Sequence, residues 1–254
     1  MSGSLTRSDW PELERKVRAC TPARLLTGRV GACYRTSTQL DLREAHAAAR
    51  DAVRTELDVE KQFGREMIKR WGLFEVSSRA RTKDEYLLQP DLGRSFSELS
   101  PHELKRRCCT RSDLQIAIGD GLSVTAVSAQ VPKLLPVLCD RAAALGWSVG
   151  QIFVVRHCRV GILNHIGEIL TPAVAVLLIG ERPGLATPES LSAYMAFRPH
   201  SGQTDADRNL VSNIHARGIG AAEAAERIVN LAAQMVKNKC SGVRLSVETT
   251  RLEK

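Results

Sequence analysis

Three runs in the second half of the chain constrain its fold more than any other feature. LQIAIG (114–119), QIFVV (151–155) and AVAVLLIG (173–180) are almost wholly apolar and rich in β-branched residues. A strand with one wet face alternates apolar and polar side chains. A strand buried on both faces does not, and such strands belong to parallel sheets covered by helices. Each run breaks sharply into glycine and polar residues: Gly119-Asp120-Gly121, His157-Cys158-Arg159-Val160-Gly161, and Gly180-Glu181-Arg182-Pro183-Gly184. Open α/β sheets collect their ligands just beyond such carboxyl ends.

The segments between these runs read as helices and further strands. Ser123 to Ala144 is mostly helical, with breaks expected at Pro132 and Pro136. ILNHIGEIL (162–170) is a short helix, SLSAYMAFRP (190–199) another strand, and Ala221 to Lys239 an alanine-rich amphipathic helix closed by Gly242. Residues 1–85 read as helical. Asp9 caps a first helix with Pro11 in its opening turn. Ser37 or Thr38 starts a second, whose apolar positions Leu40, Leu42, Ala45, Ala49 and Val53 recur at three and four residues. His46 on that helix is expected at its solvated side or the core edge, and TPARLLTGRVGACYRT before it as an irregular loop. The Pro90–Gly93 turn marks a change of character, and Ser100-Pro101 opens a short helix, HELKRRCC. The expectation is an α/β protein: a Rossmann-like, mostly parallel sheet domain over 91–254, preceded by a smaller helical N-terminal domain over 1–90.

Bulk properties narrow the function. The net charge is +8, but the surplus is spread along the chain with only short clusters such as Lys105-Arg106-Arg107, and aromatics make up 4%. A nucleic-acid binder concentrates its charge on one face or arm and carries stacking rings, so none is expected here. The seven cysteines are odd in number and lack zinc spacing, so neither a disulfide framework nor a zinc site follows. Free thiols suit a reducing compartment. The opening residues lack a signal-peptide core and no apolar run is long enough to span a bilayer, so a cytoplasmic protein without a membrane partner is expected.

Four loops hold groups capable of chemistry. Gly119-Asp120-Gly121-Leu122-Ser123 sits between a strand and a helix, where backbone N–H groups can meet a phosphate. It lacks both the GxxxxGK[ST] and GxGxxG spacings. A tight turn with Asp120 or Ser123 as helix cap is the competing reading. His157 and Cys158 are neighbours on a strand and point to opposite faces, so adjacency does not make them a catalytic dyad. Glu181 can accept hydrogen bonds from a ligand at a sheet edge, or simply pair with Arg182. The polar loop 205–215 (DADRNLVSNIH) carries Asp205 and Asp207, too few ligands for a metal without others nearby. No catalytic residue is assigned, and the residues alone stop at a ligand-binding α/β domain.

The order of motifs adds a family. TPARLLTGRVG, AHAAARDAV, YLLQPDLGR, IGDGLS, CRVG, GEIL, GERPGL, ESLSAY, DADRNLVSNIH and KNKCSGVRL, spread over more than 200 residues, resemble the small subunit of ethanolamine ammonia-lyase. The resemblance implies a subunit that pairs with a larger barrel-shaped subunit and holds adenosylcobalamin between the two. The complex converts ethanolamine to acetaldehyde and ammonia by a radical mechanism, with its catalytic residues on the large subunit. The cofactor contacts it implies fall on Val160 in CRVG, on Glu181 in GERPG, and on Leu210 in DADRNLVSNIH. Related chains can carry cysteine at this last place, and leucine there keeps a backbone contact. The DxHxxG pattern that supplies a histidine to cobalt is absent around His165, which implies that cobalamin keeps its own base and His165 is structural. About twenty residues precede TPARLL, fewer than in relatives with a packaging extension, so cytoplasmic residence is expected ahead of a bacterial microcompartment. The rival expectation is a stand-alone α/β enzyme binding a nucleotide at GDGLS.

Overall fold

The computed structural model describes residues 10–20, 25, 27–184 and 186–245. Helix α1 (Trp10–Cys20) is followed by a small hairpin of β1 (Arg29–Val30) and β2 (Cys33–Tyr34), turning at Gly31 with φ +63°. The proposed cap Asp9 lies outside the described residues. Helix α2 (Thr36–Arg54) comes next, with His46 exposed, then α3 (Val59–Trp71), capped by the Asp58 side chain on Lys61 N–H at 3.0 Å. Strand β3 (Phe74–Ser77) follows, so the helical reading of residues 1–85 misses a strand. Its four residues fall below the length at which alternation can be read, and Glu75 in its middle breaks any apolar run.

Helix α4 (Lys83–Leu88), a 3₁₀ turn over Pro90–Arg94 and helix α5 (Ser100–Arg107) lead to β4 (Leu114–Gly119). Then come α6 (Val124–Ala144), β5 (Phe153–Arg156), α7 (Ile162–Leu170), β6 (Val174–Gly180), β7 (Leu191–Phe197), β8 (Asn209–Ile214) and α8 (Ala221–Asn238). One six-stranded sheet takes the order β3-β5-β4-β6-β7-β8. The first four strands run parallel, β7 runs against β6, and β8 against β7. The mixed α/β, mostly parallel architecture is therefore as expected. The first 90 residues supply its edge strand, which the Arg156 guanidinium ties across to Glu75 with two bonds of 3.0 and 3.1 Å.

Two cores sandwich the sheet. Helices α6 and α8, with α3, bury Val127, Leu134, Leu138, Ile228 and Met235 against Ile116, Val154, Val176 and Leu178. On the other face α5 and α7 bury Leu104, Ile162, Leu163 and Ile166 against Ala117, Phe153, Val155, Ala175 and Leu177. Double coverage explains why β4 and β6 are apolar at nearly every position; the one polar residue, Gln115, is wholly buried and donates to Ile116 and Gln151 carbonyls at 3.1 and 2.9 Å.

Three local expectations need correction. Helix α6 runs unbroken through Pro132 and Pro136. Ten of its side chains are buried, and that packing outweighs the roughly 3 kcal/mol an interior proline costs. Helix α8 is closed by Lys239 in the left-handed conformation (φ 52°, ψ 34°), while Gly242 instead starts a short 3₁₀ turn. Residues 209–214, read as part of a polar loop, form β8; only Val211 and Ile214 are buried there, as an edge strand with one wet face allows.

Candidate functional site

The strands β4 and β6 are neighbours whose connections leave in opposite directions, β4 through α6 toward β5 and β6 by a hairpin to β7. Such a divergence opens the crevice where α/β sheets ordinarily accept a ligand. Here the protein closes it. Leu122 N–H donates to Gly180 O at 3.1 Å. A Cβ on Gly121, whose φ is +57°, would lie 2.3 Å from Gly180 O, and one on Gly180 would lie 2.0 Å from Ser123 O. Ser123 caps α6, its hydroxyl accepting from Ala126 N–H at 3.2 Å. The tight-turn reading of GDGLS holds, with Ser123 as the cap, and its Asp120 and Leu122 amides both have internal partners.

Asp120 does something else. Its carboxylate is fully buried and accepts from the backbone N–H groups of His157 and Cys158, both at 2.8 Å. Lys83 Nζ reaches across from α4, 3.9 Å from the same carboxylate and 3.4 Å from Gly121 O. Burial pushes Asp120 up and Lys83 down, and their mutual attraction opposes both shifts. The Tyr86 hydroxyl donates to Cys158 O at 3.0 Å, Ser78 Oγ to His157 O at 2.8 Å, and Arg159 N–H to Gly93 O at 2.8 Å. The 157–161 loop is thus latched from four elements, and His157 is held at φ +55°.

The side chains of that loop part company, though not as strand neighbours: β5 ends at Arg156, and His157 and Cys158 both lie in the loop beyond it. His157 turns to Ala80 O (3.0 Å) and the Glu56 carboxylate (3.2 Å). Cys158 is fully buried under Gly119, where a Cβ would meet its Sγ at 2.8 Å. Burial first, then Asp120, pushes its thiol well up, so it is an inert filler rather than a nucleophile. Val160 remains at the surface of the α5/α7 core.

Glu181 sits just past β6 and joins three strands. Its carboxylate accepts from Ser190 Oγ at 2.7 Å, from Ser192 Oγ, and from Asn213 N–H at 3.2 Å. The expected alternative, a pair with Arg182, is not among these bonds. A carboxylate has about four acceptor positions, so these three bonds fix its orientation and leave capacity for one more.

Leu210 lies on β8 opposite Tyr194, which lies opposite Leu177 on β6. Directly paired residues share a face, and Leu177 belongs to the α5/α7 core. Val160, Tyr194 and Leu210 therefore share one side of the sheet. The helix cover thins across it: Leu177 is fully buried, Tyr194 half-buried and Leu210 45% exposed. Ser192, bonded to Glu181, stands opposite Ile179 of the same core, so Glu181 marks the upper rim of this open face. Leu210 is level with Leu177, four residues down the register from Glu181, roughly 13 Å along a strand. Sequence reasoning missed Tyr194, whose half-burial and neighbouring Glu181 push its hydroxyl up.

Beside this face, α7 and the 201–208 turn border a cleft of about 380 Å³. Asn164 braces it, donating to Gln203 O at 2.8 Å and accepting from the Arg208 guanidinium at 2.9 Å. Asp205 pairs with Arg208, and Asp207 accepts from Thr204 N–H at 2.9 Å, so the two carboxylates serve the turn rather than a metal. No cluster of three metal-ligating side chains occurs among the described residues. Two fully occluded atoms of residues that border the cleft, Arg208 Nε and Gln203 Oε1, have no hydrogen-bond partner. Each such vacancy costs about 1–3 kcal/mol, and no sequence signal could have marked them. His165 accepts from Phe96 N–H at 3.1 Å and stacks on its ring at 6.0 Å, which accords with a structural role.

Comparison with known proteins now fits these features. The family model described as ethanolamine ammonia-lyase light chain matches residues 11–246. The ethanolamine ammonia-lyase small subunit of Clostridioides difficile is 42% identical over 229 residues, covering 90% of this chain and 76% of the relative. Its namesake from Clostridium acetobutylicum is 40% identical over 232 residues, covering 91% and 93%. That of Listeria monocytogenes is 38% identical over 230 residues, covering 91% and 76%. No described helix is long and apolar enough to cross a membrane. A match of this extent means that the chain belongs to the ethanolamine ammonia-lyase light-chain family.

Proposed function

We propose that this chain is the small subunit of an adenosylcobalamin-dependent ethanolamine ammonia-lyase, and that its open face over β7 and β8 receives the cofactor at the junction with a large subunit. The observation that carries the reading is that Val160, Glu181 and Leu210 lie on or at the rim of one side of the sheet, whose helix cover gives out over β7 and β8. The relatives are named small subunits, which supports a large partner. The sheet is read as Rossmann-like with its usual ligand crevice filled from within. Residence in the cytoplasm is proposed, with a microcompartment as the second location.

The residues present suit a corrin. Val160 and Leu210 offer apolar surface to the edge of a broad, flat ring and keep water from it. Glu181, oriented by Ser190, Ser192 and Asn213, accepts from an amide N–H without moving. When bound, the cofactor supplies the radical that starts the conversion of ethanolamine to acetaldehyde and ammonia. This chain's part is to bind, orient and shield.

Reconstitution tests the reading. Mixing the chain with its large subunit, adenosylcobalamin and ethanolamine should give acetaldehyde only when both chains and the cofactor are present, and the purified complex should retain corrinoid absorbance. A folded complex that neither retains corrinoid nor makes product would reject it.

A further inference from the structure

We infer that Asn213 is a fourth contact to the cofactor, its carboxamide hydrogen-bonding to an amide side arm of the corrin ring at the Glu181 rim. The inference rests on the cobalamin reading above and goes beyond the three contacts named there.

The backbone puts Asn213 at that rim. Val211 and Ile214 both belong to the α6/α8 core, although residues three apart on a regular strand point to opposite faces. The register explains it. Ala193 pairs with Val211 and Leu191 with Ile214, so Ser212 and Asn213 together stand opposite Ser192. This is a β-bulge, a device that re-aims side chains beside functional sites. Ser192 Oγ donates to Glu181 Oε1, and the Asn213 N–H donates to the same oxygen at 3.2 Å. The bulge therefore delivers Asn213 to the Glu181 carboxylate, on the side of the sheet that bears Leu210.

The backbone there is strained and pinned, while the side chain is idle. Asn213 has φ +58°, a left-handed conformation that asparagine tolerates and glycine adopts freely. Its carbonyl accepts from Ile219 N–H at 2.8 Å, so the peptide is held at both ends. The residue is exposed, and its carboxamide bonds to none of the described residues. A bulge by itself is served as well by glycine. Asparagine adds a donor and an acceptor on a fixed stem, and the primary carboxamide of a corrin side arm presents the complementary pair. Glu181 beside it takes donors only, so the two side chains divide the recognition of amides between them.

The test uses the assembled complex and equilibrium binding of cyanocobalamin, followed by its visible absorbance. Asn213→Gly keeps the left-handed backbone and both of its hydrogen bonds while deleting the carboxamide. Thermal unfolding of the complex should shift by no more than about 3 °C, and cyanocobalamin should bind about fivefold more weakly. Asn213→Asp also tolerates this conformation, but it cannot donate and sets a second negative charge beside Glu181. It should weaken binding at least as much. A glycine variant that binds cyanocobalamin like the parent overturns the contact, leaves Asn213 a backbone residue only, and keeps the cobalamin reading intact. Parental affinity in the aspartate variant does the same. Failure of the parent complex to bind cyanocobalamin removes both readings. Should the glycine variant misfold, the aspartate variant decides alone.

Discussion

The crevice between β4 and β6 and the face over β7 and β8 lie side by side at one end of the sheet, and the protein treats them in opposite ways. In the crevice the donors are turned inward: Gly180 O takes the Leu122 amide, and the Asp120 carboxylate takes those of His157 and Cys158. On the face, Tyr194 and Leu210 are left partly bare, and two occluded polar atoms of residues bordering the adjoining cleft stay unsatisfied. The Asp120 carboxylate itself takes the two backbone amides at the end of β5 that an anionic ligand there would otherwise meet. The difference teaches that a fold of this architecture can spend its usual crevice on rigidity and leave a different face open. That also removes the support for a nucleotide at GDGLS.

Breaking the sealed side should have the largest effect. Asp120→Ala strands Lys83 and two buried amides, and loss of one partner of a buried pair costs about 3–5 kcal/mol. Thermal unfolding should fall on the order of 10 °C, and a variant as stable as the parent would refute the plug. Gly121→Ala attacks the same seam through backbone alone, with a Cβ 2.3 Å from Gly180 O at positive φ; about 2 kcal/mol or more should be lost in urea unfolding. On the open side, Glu181→Gln should keep the fold, since the amide oxygen still accepts from one serine and its NH2 can donate to the hydroxyl of the other, and weaken cobalamin binding to the complex about tenfold. If stability collapses while affinity holds, the two regions are built alike and the contrast fails.

The edge strand provides a finer probe. Glu75→Gln loosens the two-bond grip on Arg156, both side chains about one-third exposed; about 0.5–1 kcal/mol is expected from chemical denaturation. The smallest effect concerns pH. Bonds from the Thr204 backbone and hydroxyl hold Asp207 below its usual range. A depressed carboxyl stabilises above its unfolded value and loses that contribution as pH falls through its folded one. The melting-temperature gap between the parent and Asp207→Asn should therefore be present at neutral pH and close below about pH 4.

The sequence made the doubly covered strands legible and the singly covered ones obscure. LQIAIG and AVAVLLIG could only be buried on both faces, and the glycine-led loops beyond them were visible for the same reason. Strand β3 escaped because Glu75 is there to bond Arg156, a partner far away in sequence. Strand β8 escaped because an edge strand with one wet face, NLVSNI, has the composition of a loop. Helix α6 kept its prolines because burial on the sheet outweighs a local rule. Val160, Glu181 and Leu210 were singled out through family likeness and remain proposals, whereas the half-burial of Tyr194 and the bracing of Gln203 and Arg208 by Asn164 are matters of packing and hydrogen bonding that no linear pattern contains.

The pairing of β3 with β5 also sets a timetable. Phe74 meets Phe153, so during synthesis the edge strand leaves the ribosome about 80 residues before its partner, a wait on the order of ten seconds at ordinary elongation rates. A long apolar strand would spend that interval as a template for any neighbouring chain. FEVS is four residues long and carries a charge at its centre. Its brevity, which hid it in the sequence, is what lets the nascent chain wait safely.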